Sequence, residues 1–137
     1  MGLAALILWL LTAAGGFVLL STWIAKGGAR QSGSSHLPAP VVFGHFLLAV
    51  AGLVVWIIYL FVDNDALAWV AFGLLVPVAL LGFVMLLRWL PVYRGRAPIV
   101  AETPAERHFP VAIVGGHGVL AIATLVLVLL TALDVGS

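Results

Sequence analysis

No cysteine occurs in the 137 residues, so disulfides, thiolate nucleophiles, cysteine-ligated zinc and iron–sulfur clusters are closed to this chain. Charge is also scarce. Lys, Arg, Asp and Glu make up 8% of the sequence, against roughly 25% in an ordinary soluble domain, too little to cover a surface facing water. A net charge of +1 supplies no basic patch and argues against a nucleic-acid partner. Neither an activated nucleophile nor a carboxylate pair stands out, so enzymatic activity is left open. What the chain has in abundance is apolar residues, 64% of the total.

These residues fall in four runs, 3–25, 38–62, 66–90 and 110–133. Each is long enough to cross a bilayer, which takes about 20 residues at about 1.5 Å of rise each. The first run lacks a basic leader and is followed by Lys26 and Arg30 rather than a small-residue cleavage site, so it reads as a retained span. Pro38 and Pro110 open the second and fourth runs, where a missing N–H costs nothing. Pro77 lies inside the third and is expected to kink it. Lys26, Arg30, Arg88, Arg94, Arg96 and Arg107 all sit in or beside the first and third loops, whereas the second turn is Asp63-Asn64-Asp65. The positive-inside rule then makes loops one and three cytoplasmic and both termini external, in a bacterial plasma membrane.

The chain also repeats itself. Gly16-Phe17-Val18-Leu19-Leu20-Ser21-Thr22-Trp23 returns as Gly82-Phe83-Val84-Met85-Leu86-Leu87-Arg88-Trp89. His36-Leu37-Pro38 and then Gly44-His45 return as His108-Phe109-Pro110 and then Gly116-His117. Two matched blocks in matched order imply tandem duplication of a two-helix unit, residues 1–62 and 66–133, within one domain spanning 1–137. The expected fold is an all-α integral membrane four-helix bundle with a pseudo-twofold axis along the membrane normal.

That symmetry gives the histidines meaning. His45 and His117 lie about seven residues inside parallel helices, roughly 10 Å below the cytoplasmic edge, and the axis would bring them face to face. Ionisable groups inside a span are costly and default to functional candidates. A single such histidine more often glues helices together through a hydrogen bond, but a symmetric pair suits the two axial positions of six-coordinate iron in haem b. Gly44 and Gly116 precede the pair, and Gly16 and Gly82 on the other helices sit near the same depth. Small residues also simply let helices pack closely, yet four glycines at one level are expected to make room for a macrocycle. His36 and His108 stand nine residues before their inner partners, about 13.5 Å of helical rise. For them three readings stay open: haem propionate contacts, a second haem or metal site, or ordinary interfacial residues.

Four spans with histidines paired across the bundle resemble the small transmembrane b-type cytochromes, in the broad sense that includes the cytochrome b561 group and the membrane anchors of respiratory dehydrogenases. The resemblance rests on His45 and His117 with Gly44 and Gly116, and covers the bundle in outline. It implies one haem b, electron transfer with quinone or within a larger redox complex, and a possible homo-oligomer. The chain departs from the dihaem pattern, because all four histidines lie toward one face. Competing expectations are a histidine-based protein binding or transporting Zn²⁺, Cu or Fe, a dihaem cytochrome, and a structural accessory subunit.

Overall fold

The computed structural model describes residues 1–30, 34–98 and 103–136. The stretches 31–33 and 99–102, which fall inside the two proposed repeat units, lie outside the described residues. Four α-helices account for most of the chain: α1 (Gly2–Ala25), α2 (Ala39–Val62), α3 (Asp65–Tyr93) and α4 (Val111–Ala132), with a short 3₁₀ helix at Ala105–His108 before α4. All four α-helices are long and apolar enough to cross a membrane. The outward faces agree with that solvent. Leu3, Leu47, Leu80, Val119 and Ile122 are all more than 60% exposed, a surface that lipid wets and water would not.

Local chemistry sets the helix ends. Pro38 and Pro110 are extended N-caps, so α2 and α4 start one residue later than the apolar runs, and Pro40 occupies the first turn of α2, where an N–H is spare. Between α2 and α3 the chain reverses on two residues. Asp63 adopts the left-handed conformation (φ 52°, ψ 51°), and the Asn64 side chain accepts the Ala66 N–H at 3.0 Å, a side-chain N-cap. The third helix is 29 residues long and contains both Pro77 and Pro91. It ends beyond residue 90 because the Arg107 guanidinium donates to the carbonyls of Val92 and Tyr93 at 2.9 and 2.8 Å, satisfying acceptors that a helix C-terminus leaves free.

Packing divides the bundle into two close pairs, α1 with α4 and α2 with α3, with looser seams between them. At the Asp63–Asn64 end the pairs meet through Trp9 and Trp56, ring centres 6.5 Å apart, and the Trp56 indole donates to the Gly2 carbonyl at 3.2 Å. Gly52 makes this possible, since a Cβ there would stand 3.1 Å from the Trp9 ring. At mid-height Thr12 and Thr124 are buried and their hydroxyls lie 3.3 Å apart. At the other end Trp23 and Trp89 are buried. Their indoles donate to Ser35 Oγ at 2.9 Å and to the Glu106 carbonyl at 3.1 Å, tying loops one and three to the helices.

Candidate functional site

His45 and His117 project from α2 and α4 to a common level, with ring centres 6.2 Å apart and planes inclined at 63°. Each imidazole is anchored on the close partner of its own helix. The His45 Nδ1 lies 2.8 Å from the Val78 carbonyl of α3; the His117 Nδ1 lies 2.8 Å from the Thr12 carbonyl of α1. A carbonyl can only accept, so each Nδ1 carries a proton, and in the neutral imidazole Nε2 is then the nitrogen that holds the lone pair.

The glycines explain why those carbonyls can be reached. A helical side chain leans toward the N-terminus and covers the turn before it, so the residue at i+4 shields the carbonyl of residue i. Four residues after Thr12 stands Gly16, and four after Val78 stands Gly82. A Cβ at Gly16 would stand 3.0 Å from His117 Cε1, and one at Gly82 would stand 3.1 Å from His45 Cε1. Each ring therefore lies over a glycine and bonds to the carbonyl that the glycine leaves bare. The two contacts obey the sequence repeat. Thr12 and Val78, like Gly16 and Gly82, are 66 residues apart, and His45 and His117 are 72 apart. Gly15 adds a further contact, its Cβ position lying 3.5 Å from His117 Cβ.

Gly44 and Gly116 are placed differently. The Cβ position of Gly44 is in ordinary contact with Leu81 at 3.8 Å, and that of Gly116 has open space around it, as do those of Gly115 and Gly118. Of the four glycines singled out in the sequence, Gly16 and Gly82 touch the imidazoles. Beside the pair, the α1–α2 seam is lined by aromatic rings, with Phe17 and Phe46 centred 5.7 Å apart and Trp23 and Phe43 6.0 Å apart.

The outer histidines part company. His108 is exposed. His36 is 20% exposed and faces Glu106, which is fully buried. The Glu106 carboxylate accepts the His36 backbone N–H at 2.6 Å and the Ser35 hydroxyl at 2.7 Å, and it lies 3.1 Å from His36 Nδ1. Arg88 donates to the His36 carbonyl at 3.1 Å, and the Ala105 N–H bonds to Ser34 O at 3.0 Å. His36 Nε2 is buried with no hydrogen-bond partner among the described residues. Glu106 was missed by sequence reasoning, because Ala-Glu-Arg-His reads as a solvated charge run. One signal was present: Glu106 stands two residues before His108, in the block that repeats Ser34-Ser35-His36.

Among the described residues no three His, Cys, Asp or Glu side chains converge into a group that could hold a metal ion. Comparison with protein-family models, with curated proteins and with solved structures gives no match to this chain.

Proposed function

We propose that this protein is a membrane b-type cytochrome holding one haem between α2 and α4, with His45 and His117 as its axial ligands. The observation that carries the reading is the pair itself. Metal–imidazole bonds of about 2.0–2.1 Å, and about 1.1 Å from ring nitrogen to ring centre, put two axial imidazoles about 6.3 Å apart, centre to centre. The observed separation is 6.2 Å. An inclination of 63° between the planes fits ligation of one metal when both planes contain the metal–nitrogen axis. The donor set also suits the group. Both Nδ1 protons are committed to carbonyls, as in most ligating histidines, whose other ring N–H donates to a carbonyl or carboxylate that fixes the ring, and this leaves Nε2 to bind the metal.

Bound there, haem would supply a one-electron carrier whose potential depends on its ligands, nearby hydrogen bonds and burial. The chain's own residues do the positioning. The carbonyls of Thr12 and Val78 fix both imidazole tautomers, Gly16 and Gly82 give the rings their seats, and His36, with its unpaired Nε2, stands at the loop end of the bundle. The donor and acceptor are a quinone in the same bilayer or neighbouring subunits of a redox complex, in which the chain could also self-associate. On this reading the fold arose by tandem duplication, with loops one and three on the cytoplasmic side of a bacterial plasma membrane.

A bare transition-metal site is the second reading, favoured by the same imidazole pair. Two nitrogens satisfy iron when a porphyrin supplies four more, whereas a bare ion in a stable site usually takes four ligands, and the described residues offer no third one at the pair. Visible spectroscopy of the purified protein tests the choice. A low-spin bis-histidine haem b spectrum, lost in both His45→Ala and His117→Ala, is the expected result. A colourless protein from haem-replete cells, or variants that keep the low-spin spectrum, would overturn it, and stoichiometric zinc or copper would favour the second reading.

A further inference from the structure

The two ends of the bundle differ in charge. Lys26, Arg30, Arg88, Arg94, Arg96 and Arg107 all belong to the loop end, and all are exposed. Asp63, Asp65 and Asp134 belong to the other end. Of the two carboxylates that share an end with the cations, Glu102 lies outside the described residues. Glu106 is fully buried, and its oxygens face Ser35 and His36. Among the described residues, none of the six cations pairs with a carboxylate of this chain. Positive charge left over at a membrane surface attracts anionic lipid.

Arg88 is the cation placed to meet a lipid along its whole length. On α3 the exposed side chains Leu80, Val84 and Leu87 recur at helical spacing and make one outward stripe. Arg88 closes that stripe at the loop end, about 12 Å along the axis from Leu80. Its guanidinium is held by a bond from Nη1 to the His36 carbonyl at 3.1 Å. The remaining N–H donors are left in the planar fork that fits a phosphate. Tyr93, exposed and stacked on Trp89 with ring centres 4.9 Å apart, suits the membrane–water interface at this level. We propose that the stripe and Arg88 form a binding site for an anionic phospholipid, with an acyl chain along Leu80, Val84 and Leu87 and the headgroup phosphate on the guanidinium. The surrounding cations select a net-negative headgroup over a zwitterionic one, whose own cation they repel. The matching face of α1 is built differently. Thr22 stands where α3 has Arg88, and its hydroxyl donates to the Val18 carbonyl at 2.8 Å. The site involves neither His45 nor His117 and does not depend on haem.

Native mass spectrometry of the full chain, titrated in detergent with phosphatidylglycerol or with phosphatidylcholine of the same acyl chains, counts the lipids bound and tests the site. One basic residue near a membrane surface favours anionic lipid by about fivefold. The first phosphatidylglycerol should therefore bind wild type about fivefold or more tightly than the first phosphatidylcholine. Arg88→Gln should lose that preference, and Arg88→Lys should keep part of it, having the charge without the fork. Arg94→Gln removes the same charge at the same end, but from the residue that caps α3 beyond the stripe, and should keep most of the preference. Equal affinities in wild type would overturn the proposal without needing any variant to fold. An undiminished preference in Arg88→Gln would take Arg88 out of the site. A loss in Arg94→Gln as large as that in Arg88→Gln would replace the site by a diffuse field. Displacement of the first phosphatidylglycerol by inorganic phosphate would assign the guanidinium to a soluble anion instead.

Discussion

Alanine at Gly16 and Gly82 is the sharpest perturbation the geometry offers, because it adds one carbon under each imidazole and nothing else. Carbon atoms pack comfortably at about 3.5–4.0 Å. The new Cβ would start 3.0 Å from His117 Cε1 or 3.1 Å from His45 Cε1. Each ring must retreat by about half an ångström or more, while its Nδ1 is held at 2.8 Å on a carbonyl of the same helix that carries the intruding methyl. Overpacking of this kind costs about 1–3 kcal/mol. Against it stands the gain from replacing a helical glycine, about 0.5–1 kcal/mol. The net loss at each site centres on about 1.25 kcal/mol and reaches at most about 2.5 kcal/mol, which is about 8-fold and at most about 70-fold in haem affinity if the ring position governs ligation. Gly116→Ala is the matched control. Its Cβ meets nothing within 4 Å, so it keeps the helix gain and should bind haem as wild type does. Haem titration of the three variants decides the matter. Equal affinities across all three would show that the imidazoles are not seated on the glycines, and a loss confined to Gly116→Ala would invert the picture of which helix faces matter.

Gly28→Ala places a methyl into the buried Trp23 ring, and a loss of more than about 3 kcal/mol, read by detergent-resistant unfolding, is expected from overpacking with no room to relax. Thr124→Val breaks the buried hydroxyl pair with Thr12 yet spares the remaining bond of Thr12 Oγ1 to Leu8 O at 2.7 Å. Its cost should stay near 1 kcal/mol, and a value above about 3 kcal/mol would mean the pair has other partners. Reporter fusions at Asn64 and Gly95 should report opposite sides of the membrane, Gly95 cytoplasmic; a cytoplasmic signal at Asn64 would reverse the proposed orientation.

The helices were legible because an apolar run of bilayer length has one economical structure, and proline, Asp and Asn punctuate its ends. Less legible was anything decided by contacts between loops. The apolar pattern of α3 fades at residue 90, but the helix continues to Tyr93 because Arg107, fourteen residues further on, caps its last carbonyls. Glu106 is the stronger case. Its burial depends on Ser35, His36 and Trp89 arriving from two other segments, and no local pattern announces that. At the candidate site, the pairing of His45 with His117 followed from the repeat. The use of Gly16 and Gly82 did not, since sequence supplies their depth but not which group lies over them.

The way the helices pair bears on the proposed duplication. In the structure α1 packs against α4 and α2 against α3, so each helix of the first unit finds its close partner in the second. Each histidine follows suit: His45 of the first unit bonds to Val78 of the second, and His117 of the second bonds to Thr12 of the first. A lone two-helix unit would therefore have neither a carbonyl for its histidine nor a glycine seat beneath it. The arrangement is what a homodimer of such units would build across its own axis, with fusion through the Asp63–Asn64 turn making the two halves free to diverge. Were the halves products of duplication, Glu106 facing His36, with Ser34 in the corresponding place before exposed His108, would mark where they differ: the inner histidines are held alike and the outer ones are not. Expression of residues 1–62 alone tests this. A dimer that binds haem is the expected outcome, and a unit that remains monomeric or binds haem without dimerising would refute the cross-unit origin of the site.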